Sequence, residues 1–137
     1  MSSQINAPLA QTSNGSATQE VRQILRLEAL AVLISASAAY FVLGGELWFF
    51  ALAFFGPDLA MLAYGLGRRV GAWSYNLAHS YVVAALIGAA GVLTGAEFLW
   101  QVALIQAAHV GFDRGLGYGL KYTSGFAHTH LGRIGKR

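Results

Sequence analysis

A histidine and an aspartate stand four residues apart in the last apolar stretch of the sequence, within the segment AAHVGFDRGLGYGLKY. On a helix, His109 and Asp113 lie one above the other on a single face, and Gln106 extends that face by one turn. An imidazole and a carboxylate placed in this way can ligate a metal ion or act as an acid–base pair. His109 and Asp113 are therefore the first candidates for a functional site.

Two earlier apolar stretches each carry an ionisable residue at the same depth as this pair. Counted from the ends that we assign to the cytoplasm, Asp58, His79 and Asp113 all lie about eight or nine residues inside their helices. An aspartate near the middle of a spanning helix costs about 2.5–3.5 kcal/mol, so such residues face the bundle interior and find partners. The sequence predicts that these residues and His109 meet in a buried polar site in the cytoplasmic half of the bundle.

The first chemistry that suits this site is metal binding. We predict that Asp58, His79, His109 and Asp113 ligate a divalent cation such as zinc, iron or manganese. Asp58, His109 and Asp113 are the predicted catalytic residues, and Asn76 and Tyr118 are the predicted cofactor-binding residues around them. Such a metal lowers the pKa of bound water for hydrolysis. The leading hypothesis is a metal-dependent membrane enzyme that acts on a lipid-like substrate.

Other functions are compatible with the same residues. A buried histidine and aspartate can relay protons or bind an ion during transport. Acid–base or histidine-nucleophile chemistry on a lipid phosphate is a further alternative, although the lysine-arginine and Ser-Gly-His motifs of membrane phosphatases are missing from the sequence. A non-catalytic polar layer would instead fix helix packing or bind a partner, for example through Asp58 with His79 or Asp113 with Arg114.

The composition indicates that the elements carrying these residues are membrane helices. Hydrophobic residues make up 55% of the chain and charged residues 11%, against about 25% charged residues in soluble domains. The absence of cysteine excludes disulfides and thiolate metal sites. The net charge of +3 comes from basic residues at helix ends rather than along a groove. We therefore expect no nucleic-acid partner.

Four apolar stretches are long enough to cross a bilayer, so the predicted fold class is an all-α bundle of four transmembrane helices. Each is about 17 to 24 residues long, which matches a hydrocarbon core of about 30 Å. Pro57 is expected to kink the second helix. The predicted spans are Leu27–Leu43, Leu47–Leu66, Val70–Leu93 and Phe98–Leu120.

The basic residues all fall in alternate segments between the spans, which puts them on one side of the membrane. By the positive-inside rule, this places both termini in the cytoplasm. Residues 1–20 are predicted to be a disordered polar tail, residues 21–122 the membrane domain and residues 123–137 a basic cytoplasmic tail. Basic residues at this end attract anionic lipid headgroups, which are predicted partners beside the bilayer itself. His128 and His130 are interpreted as solvated or close to lipid phosphate.

Three glycines form a stripe on the last helix, where a neighbouring backbone can approach closely. Gly111, Gly115 and Gly119 stand at intervals of four residues. Such a stripe can pack within one bundle or between two copies of the chain. A homo-oligomer is therefore one predicted state.

Four ordered motifs between Pro57 and Gly135 resemble a known family. These are PDLAMLAY, RVGAWSYNLAHSY, HVGFDRGLGYGLKY and THLGRIG. In this order they are similar to a family of small bacterial integral membrane proteins catalogued as a domain of unknown function, family 4260. The resemblance implies a compact multi-pass bacterial membrane protein and carries over no activity or cofactor. The predicted location is the inner, cytoplasmic membrane.

Overall fold

The computed structural model describes residues 17–135 of the chain. Most of the predicted disordered tail, residues 1–16, lies outside this range, and the first helix begins at Gln19. Five α-helices, one 3₁₀ helix and one short hairpin follow in order. They are α1 (Gln19–Val42), α2 (Leu47–Phe54), the 3₁₀ helix (Gly56–Leu66), α3 (Arg68–Ala78), α4 (Tyr81–Thr94), α5 (Glu97–Leu116), β1 (His128–Thr129) and β2 (Gly132–Arg133).

The last helix, α5, is the centre of the fold. It packs against α1 and α4, while α3 packs along the 3₁₀ helix. Eight residues of α5 are buried, more than in any other helix. Gly111 allows a close approach of two helix backbones, because a Cβ there would lie 2.6 Å from the carbonyl oxygen of Ala29 in α1. The first part of the glycine stripe thus packs within one chain.

The second apolar stretch changes helix type near Pro57. The α-helix ends at Phe54, and the chain continues as a 3₁₀ helix from Gly56 to Leu66 instead of as a kinked α-helix. Proline has no backbone N–H and therefore suits the first turn of a new helix. Asp58 consequently lies in the first turn of the 3₁₀ helix.

The third apolar stretch is not one straight helix. Helices α3 and α4 meet at an angle of 48°, and the break falls at His79 and Ser80. The Ser80 hydroxyl accepts a hydrogen bond from the backbone N–H of Val82 at 3.2 Å, which caps the start of α4. His79 is therefore placed at an interruption in the helix and not on a regular helical face.

Two segments, α1 and Leu47–Leu66, are long and apolar enough to cross a membrane, and α3 with α4 makes a third if the bent pair is one span. Neither α2 nor the 3₁₀ helix contains a buried residue. Their large apolar side chains are exposed, for example Leu52 by 72% and Leu62 by 77%. An apolar surface of this kind suits contact with lipid.

The fourth predicted span is shorter than expected, because α5 ends at Leu116 and Gly117 adopts a left-handed conformation with φ 97°. The chain then folds back toward α3. The Asn76 side-chain amide donates to the Lys121 carbonyl at 2.8 Å and accepts from the Lys121 N–H at 2.6 Å. In the hairpin, β1 and β2 pair in antiparallel register, and Thr129 is buried.

Removing the Asn76 amide is expected to loosen this segment. Asn76→Ala leaves the N–H and carbonyl of Lys121 without these partners, and each unpaired buried group costs about 1–3 kcal/mol. We expect a clearly lower melting temperature in mild detergent and faster proteolysis after residue 117. Gln101→Ala is the control, since that amide bonds only along its own exposed helix turn, to Glu97 at 3.0 Å. Equal melting temperatures for the two variants would contradict the prediction.

Candidate metal centre

Two histidines and two aspartates form one compact cluster. Asp58, His79, His109 and Asp113 each offer one ligand atom, and these four atoms all lie within 4.8 Å of one another. The two histidine Nε2 atoms are 3.1 Å apart. Metal–ligand bonds of about 2.0–2.2 Å in a tetrahedron separate neighbouring ligand atoms by about 3.3–3.6 Å. The separations in the cluster run from 3.1 Å up to at most 4.8 Å, so the four atoms lie close enough together to hold a metal ion after small adjustments.

The histidine–carboxylate distances support the same geometry. Asp58 Oδ1 lies 3.5 Å from Nε2 of both His79 and His109. Asp113 Oδ2 lies 3.3 Å from Nε2 of His79 and 4.0 Å from Nε2 of His109. Both rings thus direct the same nitrogen toward both carboxylates, as ligands around a shared ion would.

Tyr75 orients two of the four ligands. Its backbone carbonyl lies 2.9 Å from His79 Nδ1, so that nitrogen carries the proton and Nε2 keeps its lone pair. The Tyr75 ring stacks on the His79 ring with centroids 3.7 Å apart, and its hydroxyl donates to Asp113 Oδ2 at 2.8 Å. Partners of this kind hold a metal-ligating histidine in the correct tautomer and orientation.

His109 is held by packing more than by hydrogen bonds. The residue is 1% exposed, and the edge of its ring contacts Phe54 with centroids 5.2 Å apart. Among the described residues, its Nδ1 is buried without a hydrogen-bond partner. Its polar contacts run through Nε2, toward the other three members of the cluster.

The charge of the cluster favours a cation. Two carboxylates bring two negative charges, and within the described part of the chain their ion-pair contacts are made with histidine rings. Arg114 instead donates to the His79 carbonyl at 3.4 Å, and Lys121 Nζ lies over the rings of Tyr75 and Phe126. Burial lowers the pKa of Lys121, an effect that the Asp113 charge opposes. With neutral histidines, one divalent cation would balance both carboxylates.

A family model described as "Domain of unknown function (DUF4260)" matches residues 22–134 of the chain. The chain belongs to this family. No match was found among curated proteins or among solved structures. The resemblance carried by the motifs between Pro57 and Gly135 is thus confirmed, and the match extends to α1. Because the family description assigns no activity, the function of this DUF4260 protein has to be argued from its residues.

The other predicted site residues of the DUF4260 chain lie apart from the cluster. The side-chain amide of Asn76 forms two hydrogen bonds with the backbone of Lys121. Tyr118 follows the end of α5 and is 42% exposed. His130 Nδ1 accepts from the backbone N–H of Leu120 at 2.9 Å, and burial together with the charge of Arg114 lowers the pKa of His130. His128 lies 3.1 Å from the Ser124 hydroxyl through its Nδ1.

Tyr75 was missed as a site residue, although the sequence contained a signal for it. It stands four residues before His79, so the two share a helix face. A tyrosine one turn from a candidate ligand is well placed to support it. The contact with Asp113 could not be found in this way, because it joins α3 to α5.

This DUF4260 protein also has an apolar cleft, whose lining includes sequence neighbours of the cluster residues. It has a volume of about 330 Å³. Its lining includes Pro57, the neighbour of Asp58, and Ala78, the neighbour of His79. On the α5 side it is lined by Val102, Ile105 and Gln106, the last being one turn before His109. The cleft is thus lined by residues that stand close in the sequence to three of the four cluster members.

Proposed function

We propose that Asp58, His79, His109 and Asp113 bind a divalent transition-metal ion and that this ion is the reactive centre of a membrane enzyme. The proposal depends on one observation, the convergence of four ligand atoms within 4.8 Å. Nitrogen and oxygen ligands in this combination suit zinc, iron or manganese. When bound, such an ion activates water or polarises a carbonyl or phosphoryl group of the substrate.

The proposed substrate is lipid-like. The apolar cleft supports this choice, because a hydrocarbon chain in the cleft would contact sequence neighbours of the cluster residues. Asp58 is the most open ligand, with 33% of its side chain exposed, whereas both histidine side chains are at most 3% exposed. A substrate would therefore approach the cluster from the side of Asp58. His109 and Asp113 would lie deeper in the protein.

The proposed location is the bacterial inner membrane, crossed four times with both termini in the cytoplasm. The alternation of basic residues supports this topology. Helix α5 has 20 residues and is therefore about 30 Å long, enough for a fourth span. Polar residues within such a helix would be sheltered by its position between α1 and α4. Assembly into a homo-oligomer stays a prediction.

Element analysis tests the metal proposal directly. We expect protein purified in mild detergent without chelators to contain about one transition-metal ion per chain. His128→Ala serves as the control, since this histidine is exposed and lies outside the cluster, and it should keep the same metal content. Protein that stays metal-free after gentle purification and after incubation with zinc, iron(II) and manganese would overturn the proposal.

A packing role is the second candidate, and it is favoured by the 3.1 Å contact between the two Nε2 atoms. Without a metal, His109 would donate to His79, and the cluster would fix the helices as a hydrogen-bonded network. This reading predicts metal-free protein in which Asp58→Asn and His79→Gln both lower the melting temperature strongly.

An ion or proton pathway has less support. Such a route would have to continue along the outer parts of α4 and α5. Beyond Glu97 at the start of α5, the polar side chains that could carry it are Thr94, Gln101 and Gln106. Each of these donates to a neighbouring protein oxygen, on Ala90, Glu97 and Ala78 respectively. A continuous polar path does not follow from these contacts.

A further inference from the structure

A second concave site lies where the start of α1, the end of α5 and β2 meet. It has a volume of about 790 Å³, and its lining is mostly polar. Three arginines line it, Arg22 and Arg26 from α1 and Arg133 from β2, and the lining residues include no aspartate or glutamate. We call this site the arginine pocket. None of the four cluster residues belongs to it.

The two α1 arginines are positioned by backbone carbonyls. Arg26 Nε donates to the Gly115 carbonyl at 2.8 Å, and Arg22 Nη1 donates to the Leu131 carbonyl at 3.4 Å. A guanidinium has more N–H donors than one carbonyl can accept, so further donors remain for a ligand. The contacts fix the direction of both side chains before any ligand arrives.

The hairpin leaves room for one of these side chains. A Cβ on Gly132 would lie 2.7 Å from Arg22 Nη1, so glycine at this position allows the guanidinium to pack against β2. Gly132 also has φ 118°, a conformation that favours glycine. The pocket is therefore shaped by both ends of the described chain.

Three positive charges share the pocket, and no carboxylate belongs to its lining. Arg22 and Arg26 are one helical turn apart, where like charges repel. An anion between the arginines would relieve this repulsion, and guanidinium groups match the geometry of phosphate oxygens through paired hydrogen bonds. A phosphate group is thus the ligand chemistry that suits the arginine pocket.

The position of the arginine pocket indicates which kind of molecule carries the phosphate group. Arg22 and Arg26 lie in the first two turns of α1, a helix long and apolar enough to span a bilayer. Arginines at the end of such a helix reach the depth of lipid headgroups. We propose that the arginine pocket binds the phosphate group of an anionic phospholipid, at a site separate from the metal centre.

Lipid titration of the full chain in a neutral detergent tests this proposal. The probes are dioctanoyl phosphatidylglycerol, dioctanoyl phosphatidylcholine and inorganic phosphate, with binding followed by calorimetry. We expect phosphatidylglycerol to bind at least about tenfold more tightly than phosphatidylcholine, whose choline cation the arginines repel. If inorganic phosphate binds as tightly as phosphatidylglycerol and displaces it, the same site takes a soluble phosphate and the lipid as its source is overturned.

Matched variants distinguish lipid binding in the arginine pocket from attraction of the lipid by surface charge in general. Arg22→Gln with Arg26→Gln is expected to weaken phosphatidylglycerol binding at least about tenfold. Arg68→Gln with Arg69→Gln removes the same charge from exposed residues outside the pocket and should change the affinity less than about twofold. Equal losses in both double variants, or a wild type that does not prefer phosphatidylglycerol, would overturn the proposal.

A single variant keeps the test decisive if the first double variant does not fold. Arg133 is exposed and lies on the hairpin side of the pocket. Arg133→Gln is expected to weaken phosphatidylglycerol binding about threefold to fivefold while leaving the melting temperature unchanged. Unchanged affinity in this variant would count against the arginine pocket.

Discussion

Asp113→Asn is expected to reduce the metal content of the purified protein to less than about a tenth of the wild-type value. The substitution keeps the size of the side chain but removes one of the two negative charges that balance a divalent cation. It also replaces the oxygen that lies 3.3 Å from His79 Nε2 and accepts from the Tyr75 hydroxyl. Element analysis of the two proteins, purified side by side, measures the loss.

The same variant should lose the stabilisation that metal provides. A ligand at a thousand times its dissociation constant stabilises the folded state by about 4 kcal/mol. A strong chelator should therefore lower the melting temperature of the wild type and leave that of Asp113→Asn unchanged. In the wild type, removing the cation also leaves two carboxylates close together without their counter-charge, which adds to the loss.

Glu97→Gln is the matched control, because it makes the same chemical change at the exposed start of α5. It should keep the wild-type metal content and the wild-type response to chelator. The prediction fails if Asp113→Asn retains full metal content, or if the chelator leaves the wild-type melting temperature unchanged although metal has been removed.

Gly111→Ala is expected to cause the largest loss of stability among single substitutions in the helix core. The added Cβ would lie 2.6 Å from the Ala29 carbonyl oxygen and 2.8 Å from the Leu33 backbone nitrogen. Both atoms belong to the backbone of α1, so the clash is relieved only by moving one helix. Overpacking of this kind typically costs about 1–3 kcal/mol, and a clash with backbone atoms on both sides belongs at the upper end of that range. Thermal unfolding in mild detergent should show the change as a large drop in melting temperature.

Gly65→Ala provides the comparison for this substitution. Gly65 also lies in a helix, but a Cβ there would meet no atom within 4 Å. This variant is expected to melt within a few degrees of the wild type. If both variants melt alike, α1 and α5 do not approach at Gly111 as closely as the structure has them.

The meeting of the four cluster residues could be predicted because depth along a helix is easy to read from sequence. Asp58, His79 and Asp113 lie at similar distances from the ends of their apolar stretches, and hydrocarbon forces such groups together. This reasoning needs only the rise per residue, and the change from an α-helix to a 3₁₀ helix moves the expected depth of Asp58 by about 4 Å, less than one helical turn. The metal role of the cluster stays a prediction.

The direction of a side chain is harder to predict than its depth. By its spacing, Asn76 was expected to share a helix face with His79. Its amide instead hydrogen-bonds to the backbone of Lys121, which follows the turn of the chain at Gly117. Tyr118 was placed on a longer helix and instead follows its end. Helical periodicity contains no information on where a returning segment will lie, so these two positions needed the structure.

The two changes of helix geometry had local signals of different strength. Gly56 and Pro57 are a local signal for the end or a kink of an α-helix, and α2 does stop just before them. The break at His79 has neither glycine nor proline beside it. Its signal is Ser80, a good helix N-cap, which an apolar stretch of spanning length easily hides.

The break between α3 and α4 has a consequence for α5. Where a helix is interrupted, carbonyl groups lose their usual partners, and hydrocarbon supplies no water to replace them. Gln106 donates to the carbonyl of Ala78, and Arg114 donates to that of His79. Two polar side chains of α5 thus satisfy the backbone carbonyls at the interruption beside His79. Helix α5 therefore supplies two members of the cluster and also stabilises the backbone at a third.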